Sequence, residues 1–397
     1  MVTKARISGL LPREKLDLML RRRTGRAIIA LITALIIYAF FAGTGIGPSD
    51  TSTRLVIGLV SGVLLWAHLI YGAWLVKREL QGLFVIWGVV TVVFFLRFLT
   101  PGDPTIALTP PDATAEVRQR LAERLGLDQP LYVQYGDYLW NLITIDMGRS
   151  LRTEVPVLDL ILIRLPATIE LAVAATIVAM VIAIPLGVIS ARRRHKPADY
   201  GATLFSLVGI STPNFWLGIM LILYVAVTFD FLPTGGRSIG FSTAWGGLLM
   251  DGNIDGVTTW FAQLFLPAIT LGTFFTALLT RLTRSGMLEE IGKAYFKACQ
   301  AKGLPETIIL YKHVLRNTLI PIITVLGLQL GTLIGGAVIT EFVFAWPGLG
   351  RFLINSIHLR DWMVIQGIII FIGIGFVVIN IAVDATYAYL DPRVELR

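Results

Sequence analysis

The amino-acid sequence predicts an all-α, polytopic helical membrane protein, and three observations carry that reading. Of 397 residues, 55% are hydrophobic and only 15% charged. A soluble domain of this size exposes far more charge. Apolar runs long enough to cross a bilayer recur along the chain, and in lipid only a helix or a closed barrel satisfies its own backbone. The Lys and Arg behind the net charge of +8 sit mainly beside those runs. That placement reads as positive-inside topology rather than as a nucleic-acid surface. The single Cys299 excludes an internal disulfide and a Cys-rich metal site.

The opening segment, residues 1–26, is polar and closes on Arg21, Arg22, Arg23 and Arg26. Its polar lead is too long, and no small-x-small site follows, for a cleavable signal. About eight spans follow, near 27–45, 55–76, 82–99, 167–190, 202–228, 264–284, 318–340 and 363–388. "VKREL" (76–80) and "ARRRHKPAD" (191–199) are basic, whereas "GTGIGPSDTST" (43–53) has no Lys or Arg. Both termini are therefore expected in the cytoplasm, with loop 100–166 outside.

Two outside segments are more than linkers. Within 109–142 the pattern predicts a helix over 113–125, with Asp112 as N-cap and Gly126 as the C′ residue. "EFVFAWPGLGRFLINSIHLRDW" (341–362) combines an aromatic cluster, a Pro-Gly turn and a short helix. It reads either as an interfacial anchor or as a gate at a pore mouth. No internal repeat stands out.

The stretch between the sixth and seventh expected spans is polar, basic and longer than a link requires. From Met287 to Lys302 the spacing predicts one helix, with Leu288, Ile291, Tyr295, Ala298 and Cys299 on a shared face. Ala294, Ala298 and Ala301 are small enough for another backbone to approach. Lys297 and Lys302 suit a helix C-terminus, and Gly303 suits the left-handed C′ position. Pro305 and Glu306 suit the first turn of a second helix, expected to end near Asn317. Such a helix pair could also lie in the lipid headgroup layer.

"YFKACQAKGLPETIILYKHVLRNTLIPIIT" (295–324) resembles the cytoplasmic coupling loop of ABC importer permeases, nearest to the dipeptide/oligopeptide/nickel subfamily. Tyr295, Ala298, Ala301, Lys302, Gly303, Leu304, His313, Arg316, Asn317 and Pro321 carry the match. The general importer motif opens on an acid and two alanines; here Lys297, Ala298 and Cys299 stand there, without an acid. "FLTPGDP" (98–104), with Pro101, Gly102, Asp103 and Pro104, "RLPATIELA" (164–172), "STPNFWLGIMLI" (211–222), "EFVFAWPGLGR" (341–351) and "YLDPRV" (389–394) extend the similarity over about 80–397.

The resemblance implies a six-span permease core at 80–397, with residues 1–79 adding a basic tail and two extra N-terminal spans. It implies a coupling loop over 285–317 and a gate or scoop at Glu341, Phe342, Trp346, Pro347, Gly348 and Gly350. It also implies a prokaryotic plasma membrane, a second permease subunit in a heterodimer, two P-loop ATPases and an external substrate-binding protein. Di- or oligopeptides are the leading cargo, with nickel chelates, glutathione and short oligosaccharides as alternatives.

No catalytic residue and no cofactor are expected on this chain. Gly292-Lys293 is followed by Ala294, with Met287 where a P-loop needs its first Gly, so ATP and Mg belong to partner subunits. His68, His195, His313 and His358 are isolated, and no metal site is expected.

Asp384 inside the last span calls for a hydrogen-bond partner or a wet cavity. Glu170 and Arg97 lie near span ends and could reach water. An ion-coupled secondary transporter using Asp384 and Glu170, or a membrane scaffold, are the competing readings. Gly327, Gly331 and Gly335 form a stripe for close packing, either within the chain or at a pore or permease interface.

Overall fold

The computed structural model describes residues 78–98, 114–124, 126–230 and 232–390. The two extra spans expected at 27–45 and 55–76, the Pro101–Pro104 motif and Asp112 lie outside the described residues. The chain divides into two compact units. Of the smaller, the described residues are 78–87 and 131–146; of the larger they are 88–98, 114–124, 126–130, 147–230 and 232–390.

Helix α1, Arg78–Phe98, begins in the smaller unit and runs into the larger. The smaller unit also holds α3, Leu131–Ile143, an element the sequence reading missed. Between them α2 covers Ala115–Arg124. The Val117 amide donates to Thr114 Oγ1 at 3.4 Å, so Thr114 caps this helix. Gly126 is left-handed at φ +65 as expected.

The larger unit is built on two long helices. α4, Val157–Arg192, has 36 residues, and α8, Asp255–Ile291, has 37. Each is about 55 Å long at 1.5 Å per residue, against a hydrocarbon core of about 30 Å. Their packing explains the alanines of α4. Ala167, Leu171, Ala175, Ala179 and Ala183 recur every fourth residue, all buried against α8. A Cβ on Gly272 would stand 2.8 Å from the Ala175 carbonyl, and one on Gly187 would collide with Thr283. Small residues let the backbones close up where hydrophobic exclusion offers no driving force.

The expected span at 202–228 is instead two helices. α5, Pro197–Ser211, and α6, Asn214–Leu221 with the π-helical turns Ile222–Val227, meet at 102°. Pro213 pushes the preceding residue out of the helical region, and Thr212 has ψ 123. Beyond them α7, Phe241–Asp251, fills a stretch read as loop.

The helix expected over 287–302 is also broken. α8 stops at Ile291, Lys293 turns extended at ψ 154, and α9 runs Ala294–Ala301. Gly292, a poor helix former, sits at the break. The second loop helix does not end near Asn317. It runs from Glu306–Ile308 through the π-helical Ile309–Val314 into Leu315–Gly336, together α10. Its axis turns by 46° between Glu306–Leu319 and Pro321–Leu333.

α11, Val338–Val343, α12, Leu349–His358, and α13, Trp362–Leu390, complete the chain. Four described helices are long and apolar enough to span a membrane, or six if each bent pair is one span. Two glycines of the expected stripe on α10, Gly327 and Gly331, pack inside the chain. A Cβ on Gly327 would collide with Val383, and one on Gly331 would stand 3.1 Å from Phe376, both on α13.

Candidate functional site

The turn after α9 has a full left-handed helix stop. Gly303 has φ +74. Its amide donates to Gln300 O at 2.9 Å, and the Leu304 amide donates to Cys299 O at 3.3 Å. This is the paired 5→2 and 6→1 pattern in which a residue with a Cβ is strained. No atom lies within 4 Å of where that Cβ would be, so glycine serves conformation here, not clearance.

Burial sorts the turn into two faces. Phe296, Ile309, Leu310 and Val314 are buried with Val188 and Ala191 of α4 and Met287 of α8, and Tyr295, Cys299 and Leu304 pack on them. Ala294, Lys297, Ala298, Ala301, Lys302 and Gly303 are exposed. On α9 the bulky residues pack inward and small and basic ones face out, while Ile308 and Tyr311 at the start of α10 are exposed.

Three polar ties hold this end together. Glu290, at the foot of α8, is buried and accepts from Tyr295 Oη at 2.8 Å, Asn317 Nδ2 at 3.2 Å and Lys293 Nζ. It joins α8, α9 and α10 across the break. Burial, reinforced by the Glu290 carboxylate, pushes the Tyr295 hydroxyl up to about 12. Asp199 is also buried and accepts from Ser190 Oγ at 2.6 Å, the His195 amide at 2.9 Å and both Arg284 Nε and Nη2 at 2.6 and 3.0 Å. It fixes the basic link between α4 and α5 onto α8. Lastly, Arg192 of α4 meets Glu306 of α10 at 3.0 Å, on the surface.

Of the sequence-predicted residues, Tyr295 and Asn317 meet at the Glu290 carboxylate. Ala298, Ala301, Lys302 and Gly303 share the exposed face. His313 is half-buried in the π-helical turn, Arg316 is exposed, and Pro321 lies inside α10 where its axis bends. Glu290, Asp199 and Arg284 were missed. The signal for Asp199 was a lone acid just after a basic run, Arg192, Arg193, Arg194 and Lys196.

At the other end of α4 a second polar knot forms a cap. Glu341 is fully buried and accepts from Thr168 Oγ1 at 2.7 Å and the Arg351 amide at 3.0 Å. Burial pushes its carboxyl up. Thr168 Oγ1 in turn accepts from the Leu349 amide at 2.8 Å. Trp346, also fully buried, donates from Nε1 to Ala167 O at 2.8 Å. An interfacial tryptophan would keep one edge wet, so the anchor reading fails for Trp346.

Gly348 has no room for a Cβ beside the Glu341 carboxylate, and a Cβ on Gly350 would stand 2.5 Å from Val338 Cα. Phe342 alone of the predicted set is exposed, at 50%, while Pro347 is half-buried.

Glu170, which by position could reach water, is half-buried and its carboxylate is engaged. It accepts from Arg237 Nε and Nη2 at 2.9 and 2.7 Å, the Phe241 amide at 3.0 Å and Trp260 Nε1 at 3.2 Å. The loop carrying Arg237 is also held from behind, where the Gly236 amide donates to Phe344 O at 2.8 Å. A carboxylate so occupied is a structural clamp rather than a travelling ion site. Beside it lies an apolar slot of about 360 Å³ between α4 and α8, lined by Val173, Ile177, Phe261 and Phe265 among others.

Comparison with known proteins gives a consistent placement. The model of the binding-protein-dependent transport system inner membrane component matches residues 183–396, and that of the N-terminal part of such membrane components matches 72–172. A dipeptide transport system permease protein of Alkalihalophilus pseudofirmus is 40% identical over 330 residues, 81% of this chain and 99% of that one. An oligopeptide transport system permease protein of Bacillus subtilis is 38% identical over 325 residues, 81% of this chain and 99% of its own. A solved inward-facing MetNI methionine ABC transporter has 19% identity and a TM-score of 0.41 over 59% of this chain, a likeness too slight to build on. These matches, which cover most of the chain, show that the chain belongs to the binding-protein-dependent transport system inner membrane components, the membrane-spanning permeases of ABC importers.

Proposed function

We propose that this chain is the permease of an ATP-driven importer of di- or oligopeptides, and that the turn at Gly303 is where separate ATPase subunits grip it. The observation that carries the docking reading is the division of α9 into a buried bulky face and an exposed face of Ala298, Ala301, Lys302 and Gly303. The peptide cargo is supported by the two relatives that the chain matches over nearly their whole length.

In this reading ATP and Mg²⁺ bind the partner ATPases, closure of the ATPase pair moves α9, and the Glu290 knot passes that movement to α8 and α10. The spans then alternate between two accessible states. The core covers 80–397, with residues 1–79 as an added module. A second permease completes the pore, and an external binding protein delivers cargo to the capped end. The basic segments 191–196 and 293–316 lie in the cytoplasm, with both termini on that side.

The test is a mild-detergent pull-down of the tagged chain, expressed with its neighbouring genes. Wild type is expected to bring down a P-loop ATPase and a second permease, and Gly303→Asp to retain the permease but lose most of the ATPase. A wild-type chain that retains no ATPase, where a known transporter complex survives, overturns the importer reading. A Gly303→Asp variant that retains it overturns the docking assignment.

A further inference from the structure

The charges at the α9 end are unevenly spent. Asp199, Glu290 and Glu306 are each engaged by a cation of the same chain: Arg284, Lys293 and Arg192 respectively. From Lys293 to Asn317 Glu306 is the only acid, against Lys293, Lys297, Lys302, Lys312 and Arg316. Lys297, Lys302, Lys312 and Arg316 are exposed and make no ion pair among the described residues. Glu289, exposed on α8, lies before the break.

Lys297 stands on the same helical face as Ala294, Ala298 and Ala301, and Lys302 continues that face at the helix cap. The docking surface is therefore a shallow, alanine-floored ridge flanked by unneutralised ammonium groups.

We infer that the partner surface receiving this turn is a cleft rimmed with carboxylates, which face Lys297 and Lys302. The inference rests on the docking reading above and adds the chemistry of the partner. Two arguments favour a protein cleft over a lipid surface. A helix lying in the headgroup layer turns bulky apolar residues outward, whereas α9 packs Tyr295, Phe296 and Cys299 inward and exposes Ala294, Lys297, Ala298 and Ala301. Alanine and glycine between the lysines admit close approach of a backbone. Opposite charge at the rim then guides the encounter and sets the register.

The experiment uses the whole complex in nanodiscs of neutral phosphatidylcholine, with ATPase retention measured at rising salt. A photo-cross-linking residue at Ala301 reports docking independently. Lys297→Glu with Lys302→Glu is expected to lower retention roughly tenfold at low salt. Lys→Ala at both sites should lower it less and flatten the salt dependence, and Lys→Arg should restore the wild type.

If Ala301 still cross-links to the ATPase and the double reversal binds normally, the carboxylate rim is wrong and the docking site stands. If wild-type Ala301 captures no ATPase, the docking reading falls and the inference with it. If the reversal acts only in discs containing anionic lipid, the lysines serve the membrane surface and the inference is overturned.

Discussion

The two ends of the α4–α8 pair use the same device to opposite effect. At each end carboxylates collect donors from several elements: the buried Glu290 and Asp199 at one, the buried Glu341 and the half-buried Glu170 at the other. At the cap the clamped segments turn inward, and Trp346, Gly348 and Gly350 are buried. At the turn the clamp leaves its outermost residues in the open, with empty space around Gly303. One end closes over itself, and the other leaves a ridge of small and basic residues exposed. Changes at the cap should therefore cost folding, and changes at the ridge should cost coupling with the fold intact.

The largest expected effect is at the cap. Gly350→Val puts its side chain into Val338 and should destabilise by about 3 kcal/mol. Fluorescence size-exclusion should show loss of most monodisperse protein. A normal profile would mean that the cap is looser than its contacts. Thr168→Val should follow, at about 2 kcal/mol. It strips Glu341 of a donor and the Leu349 amide of an acceptor, both buried. The thermal midpoint of the purified chain measures it.

At the ridge the sign of the comparison reverses. Gly303→Val strains a left-handed residue by about 1–2 kcal/mol, all of it in an exposed turn. The thermal midpoint should fall by less than at the cap, while transport-coupled ATP hydrolysis falls far more than that loss explains. Gly303→Asn, which tolerates this conformation, should retain more coupling than Val. Equal loss in both would point to sterics at the partner rather than to the turn.

Tyr295→Phe is smaller. It removes one donor from Glu290, worth about 1 kcal/mol, and it carries a pH signature. The Tyr295 hydroxyl titrates near 12 instead of its ordinary 10. The folded state holds that proton more tightly, so the stability it adds is complete below pH 10 and is lost as pH rises towards 12. The Phe variant should lose less stability than wild type across that alkaline window, as read by thermal melts.

Much of this contrast was legible in the residues. The glycine stop at 303 and the Pro305 restart were readable because left-handed geometry selects residue type directly. Chain breaks were harder. Pro213 breaks the 202–228 run, yet two other described helices carry internal prolines without such a bend: Pro166 and Pro185 in α4, Pro267 in α8. What distinguishes Pro213 is a neighbour free to go extended, which only packing decides. The knots at Glu290 and Glu341 were invisible because each is completed by a donor distant in the chain, Asn317 for one and Thr168 for the other. A carboxylate in an apolar stretch advertises a need for partners, and sequence alone does not say which arrive.

The smallest expected effect sharpens the comparison from the other side. Arg192 and Glu306 also join α4 to α10, and by position they resemble the Glu290 knot. Yet their side chains are 46% and 55% exposed. Water screens such a pair, and holding two long side chains still costs entropy, so the net gain is at most about 0.5 kcal/mol. Arg192→Ala should leave the thermal midpoint and the coupling ratio close to wild type. If coupling fell while Tyr295→Phe left it unchanged, the link to the spans would run along the surface through α4. The buried carboxylate at the foot of α8 would then be a packing feature, and the likeness between the two ends of the molecule would be one of form without shared mechanical purpose.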